Sequence, residues 1–388
     1  MPWKVTATMD LKREFVRRHK AGERMTDLCG EFQISREAGY QLVRRYAVEG
    51  DAGLLPRSRA PLRSPRRTAE ALVKLVVSAR RAHPSWGPRK LKAVLERREG
   101  VRLPAPSTLA ALLKKHGLVE SQRRRAYAPL RAHGLRIATA PNDLWCIDYK
   151  GQFRLGDGSH CYPLTLTDQH SRFLLACEGM AAIDGDAAWE STANAFRRYG
   201  LPRAIRSDNG PPFAATRALA GLSSLSAMWM RLGIELERIE PGHPEQNGRH
   251  ERMHRTLKRD TTRPASSNLL AQQERFDHFV EEFNEVRPHE ALGDQTPASV
   301  FRHSERVFSG VIPEARYPLH DDVLVVEQHG HIRIGRHNLF LSRGLRTQPI
   351  GVREEDDGCW CITFMTLDLG RYDPRSRIFT PHITGQTS

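Results

Sequence analysis

The sequence lacks several features that would place it in particular classes of protein. It has six cysteines in 388 residues, and only Cys359 and Cys361 lie close together, so neither a disulfide framework nor a cysteine-based zinc site is expected. No run of about 18 apolar residues occurs, and residues 1–20 lack the apolar segment of a secretory signal. We therefore expect neither a membrane span nor secretion, and predict a cytoplasmic protein.

Charge is distributed unevenly along the chain. The formal net charge is +15, yet residues 1–140 contain 31 Lys and Arg against 12 Asp and Glu, so the remainder is slightly acidic. A basic surface attracts polyanions, because neutralising phosphates releases condensed counterions. Nucleic acid is the predicted partner of this first part, although an Arg-rich chain without such a partner is the alternative.

Residues 1–52 have the pattern of a helix-turn-helix domain. Apolar residues recur at helical spacing in three segments between residues 10 and 46, and a short break at residues 33–35 separates the second from the third. In this layout the start of the second helix of the pair enters the major groove. A three-helix module without a DNA role is the alternative. The residues predicted to face DNA are Ser35, Arg36, Tyr40 and Gln41.

The rest of the first part alternates between basic linkers and a second helical region. Residues 53–67 combine Arg with Pro and Ser, which predicts a linker. Residues 68–120 have three helical segments, predicted over 69–82, 88–98 and 107–116, and form either a second helix-turn-helix or a bundle that only spaces the domains. Residues 121–140 are again basic and rich in turn formers.

The pattern of apolar and polar residues changes at about residue 141. Three apolar or alternating segments over 144–180 predict a strand meander, and alternating helical and strand patterns follow up to residue 305. This order predicts a mixed sheet covered by helices on both faces. Helices are expected over 184–199, 215–231, 245–262 and 269–286. After a linker over 306–320, short alternating runs over 321–388 predict a small β-barrel.

Three acidic residues in this region point to metal chemistry. Asp148 stands inside an apolar strand, where a carboxylate is costly unless it is paired or binds metal. Asp208 ends a strand, at the edge where open α/β sheets place their sites. Glu251 lies early in a helix. Taken singly, the three acids are also compatible with a capped carboxylate, a turn former and a surface pair with Arg255.

Four motifs around these acids resemble the integrase core of insertion-sequence transposases, which belong to the retroviral-integrase-like DDE recombinases. They are IDYKG at Asp148, RSDNGPPF at Asp208, HPEQNGRHERMHRTLK at Glu251 and FNEVRPHEALGDQTPASVF from Phe283, together covering about residues 140–305. Asp208 and Glu251 are separated by 42 residues, a longer interval than in the retroviral enzymes, so a small insertion is expected between them. Glu245 is the competitor of Glu251 for the third position.

The resemblance implies a multidomain α/β protein whose core has a ribonuclease-H-like fold. It further implies that Asp148, Asp208 and Glu251 are catalytic and hold two Mg²⁺ ions, with Mn²⁺ as a possible substitute. The expected reaction is cleavage at the ends of a mobile element and transfer of the 3′-hydroxyl ends into target DNA. Further DNA contacts are predicted at Gln246, Asn247 and Lys258.

The same residues leave two rival functions open and predict an oligomeric assembly on DNA. The rivals are a structure-specific nuclease that uses the same core and a helix-turn-helix regulator whose core is inactive. The expected partner is double-stranded DNA, both element ends and target, bound by a homodimer or larger assembly because two ends must be held together. The β-rich tail, with Arg333, Arg336, Arg343 and Arg346, is the predicted bridge to a second duplex, unless these arginines only face water.

Overall fold

The chain divides into two compact units, Met1–Arg67 and Thr68–Ser388. A computed structural model describes residues 5–57, 67–119, 135–215, 218–240, 243–355 and 357–382. None of the helices in these ranges is both long enough and apolar enough to cross a lipid bilayer. The predicted linker 121–140 lies mostly outside the described residues, as does most of the predicted linker 53–67.

The described part of the first unit has three α-helices, as predicted: α1 (Val5–Lys20), α2 (Met25–Glu31) and α3 (Arg36–Glu49). Their apolar faces meet in a core that includes Phe15 and Leu28. The helices pack closely because α3 presents Gly39 to α2: a Cβ at this position would lie 2.8 Å from the sulfur atoms of the α2 side chains. The helix-turn-helix layout is therefore confirmed.

Three helices open the second unit: α4 (Glu70–Ala82), α5 (Pro88–Glu99) and α6 (Pro106–Lys115). They agree with the predicted segments to within a residue at each end. Trp86 and Leu91 are buried in their shared core, and Val286 from the later part of the chain packs against the same core. This helical module, residues 68–119, is thus joined to the sheet region that follows.

A six-stranded mixed sheet lies at the centre of the second unit, as predicted. Its order is β2-β3-β1-β5-β6, with β4 on β3; β1 pairs antiparallel with β3 and parallel with β5. The strands are β1 (Leu144–Tyr149), β2 (Phe153–Arg154), β3 (His160–Asp168), β4 (Leu174–Met180), β5 (Ala204–Ser207) and β6 (Glu235–Arg238).

Helices cover both faces of this sheet. Side chains of α7 (Gly185–Tyr199) and α8 (Ser224–Arg231) pack in one core. Side chains of α9 (Gly248–Thr261) and α10 (Leu269–Glu281) pack in the core of the other face. A short helix, α11 (Pro297–Val300), closes this region of the chain.

Three predicted helix boundaries in this region are wrong. The helix expected over 215–231 begins only at Ser224, because Ser223 caps it with a reciprocal side-chain bond to Ser226. The helix expected from residue 245 begins at Gly248 and is preceded by a 3₁₀ turn, Pro244–Asn247. The last helix, expected to run to residue 286, changes after Glu281 into one turn of π-helix over Glu282–Val286.

The tail has the predicted strands but no closed barrel among its described residues. Five strands form an antiparallel sheet in the order β13-β12-β11-β10-β7, and β8 and β9 form a separate hairpin. The sheet stays open because the hairpin and α8 of the central region cover its apolar face. The strands are β7 (Asp322–Val325), β8 (His331–Ile334), β9 (His337–Phe340), β10 (Pro349–Glu354), β11 (Trp360–Phe364), β12 (Leu367–Asp373) and β13 (Ile378–Pro381).

Candidate active site

Asp148 lies near the end of the central strand β1. The preceding residues Leu144 to Ile147 are fully buried, whereas the Asp148 side chain is 26% exposed, so the strand carries a carboxylate from the core to the edge of the sheet. Its neighbour across the antiparallel pair with β3 is Thr165. Asp148 therefore lies where β1 leaves the buried core of the sheet.

Asp208 follows β5 directly, beside Asp148. β1 and β5 are parallel, with Cys146 opposite Arg206, so the register two residues further on places Asp208 opposite Asp148. The Gly210 backbone N–H donates a 3.1 Å hydrogen bond to the Asp208 carboxylate and holds it in the turn that follows the strand. Two of the three predicted acids thus lie at the carboxyl ends of adjacent parallel strands.

Glu251 lies in the first turn of α9 and is exposed. The helix is anchored by Met253 and Leu257, which are buried against the sheet, so Glu251 is on its outward side. The competing residue, Glu245, belongs to the 3₁₀ turn that precedes α9. Glu245 therefore precedes the regular helix, whereas Glu251 lies within it.

Asp148 is subject to the charges of the other two acids. Burial, the charge of Asp208 and, more weakly, that of Glu251 raise the pKa of Asp148 to about 7. Burial also raises the pKa of Asp208. A carboxylate that resists ionisation in this way is stabilised by a cation placed next to it. The donor set of three carboxylates fits a hard divalent ion, which prefers oxygen ligands.

Two buried histidines of α9 stand behind Asp148, in a place that the sequence pattern did not predict. The Thr165 hydroxyl lies 2.8 Å from Nε2 of His250 and 2.6 Å from Nε2 of His254, and the Thr167 hydroxyl lies 2.8 Å from Nδ1 of His250. Nδ1 of His254 is 3.7 Å from the Asp148 carboxylate. Spacing of i and i+4 on one helix was the only sequence signal for this pair.

These histidines are neutral. Their contacts suit a role in positioning Asp148 better than a role as metal ligands. Burial lowers the pKa of His250 to about 3 and that of His254 well below its usual value. Asp148, His250 and His254 offer ligand atoms within 4.8 Å of one another. However, three of the four ring nitrogens already contact threonine hydroxyls, so only Nδ1 of His254 faces the carboxylate.

The predicted DNA contacts near Glu251 differ in their exposure. Lys258 is exposed, whereas Gln246 is half-buried and Asn247 is 6% exposed at the start of α9. The Gln246 side-chain oxygen accepts a 2.7 Å hydrogen bond from the Glu240 backbone N–H. Nε2 of Gln246 and Oδ1 of Asn247 have no hydrogen-bond partner in the part of the chain that the structure describes.

The residues predicted to face DNA in the first unit lie at the start of α3. Arg36, Tyr40 and Gln41 are exposed, and Tyr40 is 49% exposed despite its aromatic ring. Ser35 has a structural role, because its hydroxyl accepts a 3.2 Å hydrogen bond from the Ala38 backbone N–H and caps the helix. The helix thus offers three exposed side chains in the predicted position.

Comparisons with known proteins agree with this geometry. Residues 138–244 and 232–297 match two family models described as "Integrase core domain". Residues 11–61 match a "Helix-turn-helix domain", and residues 38–113 match a "Homeodomain-like domain". The chain therefore contains an integrase core, and the comparisons support its interpretation as an insertion-sequence transposase. It is a DNA transposase, and its N-terminal part contains helix-turn-helix DNA-binding domains.

The similar proteins are individually distant. A 31.7 kDa protein of insertion element IS407 from Burkholderia multivorans is 28% identical over 232 residues, which are 59% of this chain and 79% of that protein. Transposase InsD of an Escherichia coli insertion element is 26% identical, over 56% of this chain and 74% of that protein. The HTLV-2 integrase catalytic core in complex with magnesium aligns with 43% of this chain and all of that chain, with 14% identity and a TM-score of 0.34.

Proposed function

We propose that Asp148, Asp208 and Glu251 are the catalytic residues of this transposase and that together they hold two divalent cations, Mg²⁺ with Mn²⁺ as a substitute. The proposal is supported by the position of Asp148 and Asp208 at adjacent strand ends and by the charges of Asp208 and Glu251, which, with burial, raise the pKa of Asp148. Bound cations would supply positive charge to the attacking and leaving oxygens of an in-line displacement.

The residues of the chain itself contribute position and orientation. The parallel pairing of β1 with β5 sets the separation of Asp148 and Asp208, and the buried side chains of α9 fix the helix whose first turn carries Glu251. Thr165 holds His254, whose Nδ1 faces the Asp148 carboxylate at 3.7 Å. The reacting groups are water for cleavage and a DNA 3′-hydroxyl for joining, so no protein nucleophile is required.

The division of labour along the chain belongs to the same proposal. The helix-turn-helix domain of residues 1–52 recognises the element ends through Arg36, Tyr40 and Gln41, and residues 141–305 carry out the chemistry. Gln246, Asn247 and Lys258 contact DNA next to the metal site, where amide and ammonium groups suit phosphates and bases. The active assembly is a homodimer or larger, because two ends must react together.

A labelled end fragment tests the proposed reaction. We expect the purified full-length protein, incubated with Mg²⁺, to release a cleaved 3′ end and then to produce longer joined products on a sizing gel. Asp208→Asn is the inactive variant, and Asp186→Asn is its matched control, because Asp186 is an exposed aspartate in the first turn of α7. Cleavage without any joined product would favour the nuclease alternative instead.

A further inference from the structure

A basic cavity lies in the second unit, between the helical module and the central region. Its volume is about 420 Å³, within the usual size of ligand pockets. Ser85 and one lysine come from the α4–α5 region. The other walls come from β1, from the end of β3 and the turn after it, from α9, and from the π-helical turn and the segment that follows it. Six cationic side chains line it: Lys90, Arg172, Arg249, Arg252, Arg259 and Arg287.

This basic cavity is distinct from the carboxylate site. α9 separates the two, because Arg252, Thr256 and Arg259 line the cavity and none of the three proposed catalytic acids does. The cavity does reach the support of Asp148, since His250 and Thr167 are among its lining residues. A ligand in the cavity would therefore lie behind the metal site rather than within it.

The acidic groups around the cavity do not balance its positive charge. Two acidic side chains are among its lining residues in the part of the chain that the structure describes. The Asp168 carboxylate is buried and accepts hydrogen bonds from the Asn142 N–H at 2.8 Å and from the N–H and hydroxyl of Ser171 at 2.7 and 2.6 Å. The other acid, Glu290, pairs with Arg89 at the surface.

The cations of the cavity are held at an electrostatic cost. Burial and the nearby charges of Arg287 and Arg259 lower the pKa of Lys90 to about 8. Burial also lowers the pKa of Arg172, to about 10. Asp260 lies 3.5 Å from Arg287 and 3.0 Å from Arg259, so one carboxylate serves two guanidinium groups. Like charges crowded in this way are stabilised by an added anion.

A neutral polar group completes the lining. Burial, together with the charges of Lys90 and Arg287, lowers the pKa of His289 to about 3, so its ring is uncharged at neutral pH. Its Nε2 has no hydrogen-bond partner among residues 5–57, 67–119, 135–215, 218–240, 243–355 and 357–382. A ring nitrogen of this kind can donate to or accept from a ligand oxygen.

We propose that this cavity is a phosphate-binding site, formed jointly by the helical module and the far side of α9, which the transposase uses in addition to its carboxylate site. Guanidinium groups bind phosphate oxygens through paired hydrogen bonds, and a lysine adds a point charge. The phosphate is either a phosphodiester of bound DNA or a free phosphate group. The assignment to DNA rests on the proposed function, whereas the site itself does not.

Thermal unfolding with inorganic phosphate tests the site in the full-length protein. At constant ionic strength, we expect phosphate in place of chloride to raise the melting temperature of the wild type by a few degrees, because a ligand of the folded state stabilises it. Lys90→Gln should lose most of this increase and Lys90→Arg should keep it. Lys74→Gln is the matched control, since Lys74 is exposed on α4 of the same module.

Binding of a duplex at several salt concentrations distinguishes the sources of the phosphate. If a DNA phosphodiester occupies the cavity, Lys90→Gln should reduce the slope of log affinity against log salt by about 0.9, one phosphate contact. An unchanged slope with a lost phosphate response would support the site and overturn its assignment to DNA. Equal phosphate responses in the wild type, Lys90→Gln and Lys74→Gln would overturn the site. Neither readout requires cleavage, so failure here is separate from failure of the proposed catalytic residues.

Discussion

The charge of each of the three acids can be removed by substitution with the corresponding amide, which has nearly the same shape. We expect Asp148→Asn, Asp208→Asn and Glu251→Gln each to abolish cleavage and joining, because each loses one metal-ligand charge, while binding of the element end survives. Rates measured on a labelled end fragment, alongside end binding by gel shift, check this. Glu245→Gln should remain active, since Glu245 precedes α9; a dead Glu245→Gln with an active Glu251→Gln would exchange their roles.

Asp148 also makes the stability of the metal-free protein depend on pH. Its pKa is about 7 in the folded protein, against about 3.9 in an unfolded chain. The folded state therefore binds more protons between these values, so this contribution to stability is present at low pH and is lost as pH rises through about 7. Asp148→Asn cannot ionise and should melt a few degrees above the wild type at pH 8 in EDTA.

The measurement is melting temperature against pH, with and without metal. Addition of Mg²⁺ at pH 8 should raise the melting temperature of the wild type, because the cation favours the ionised carboxylate, and should leave Asp148→Asn nearly unchanged. Parallel pH profiles for the two proteins in EDTA would contradict the assigned environment of Asp148.

The sequence was sufficient to find the acids but not their support. Asp148 and Asp208 stood out because a carboxylate inside or at the end of an apolar strand needs a reason. His250 and His254 did not, because a buried neutral histidine and an exposed one look alike in sequence, and their partners Thr165 and Thr167 lie more than eighty residues away. The cations of the basic cavity are scattered in the same way from Lys90 to Arg287.

At the scale of elements, α3 is the segment whose role in DNA recognition can be isolated. Arg36, Tyr40 and Gln41 are exposed on its first half. We expect Gln41→Ala to reduce the preference for the element end over a scrambled duplex by about 1–3 kcal/mol if its amide reads a base. Arg36→Ala should weaken the binding of both duplexes equally, as the loss of a phosphate contact does.

Competition binding of the full-length variants against the two duplexes provides the measurement. Arg17→Ala is the control, because Arg17 is exposed on α1 and pairs only locally with Glu14. Equal affinity of the wild type for both duplexes would mean that α3 clamps phosphates without reading sequence. Ser35 is left out of the test because its hydroxyl caps the helix, so its loss would report on folding.

Elements were predicted well where a periodic pattern is long and poorly where local bonding interrupts it. The first-unit helices and strands β1 to β6 follow their apolar patterns. The helix expected over 215–231 is shortened by the capping bonds between Ser223 and Ser226. The predicted barrel is an open sheet, because its closure depends on which apolar surface covers it, and α8 of the central region does so.

At the scale of the whole molecule, the tail is built into the second unit rather than attached to it. Leu222 and Ala227 of the central region share one apolar core with Ile350 and Phe364 of the tail. The backbone at Gly344 lies so close to Leu222 that an added Cβ would be 2.0 Å from its carbonyl oxygen. Removal of residues 321–388 would expose this core, so a deletion cannot separate a bridging role from folding.

Charge reversal on the β8–β9 hairpin avoids this difficulty. Arg333 and Arg336 are exposed there, so Arg333→Glu with Arg336→Glu should leave the apolar core, the melting temperature and single-end binding intact. If the hairpin reaches a second duplex, two repelling charges should reduce the pairing of two ends severalfold or more, in a salt-dependent manner.

Pairing is measured with two end fragments that carry different labels, as the fraction of complexes that contain both. Arg375→Glu, an exposed arginine elsewhere in the tail, serves as the control. Wild-type pairing by the double variant would mean that these arginines only face water and that another surface joins the two ends.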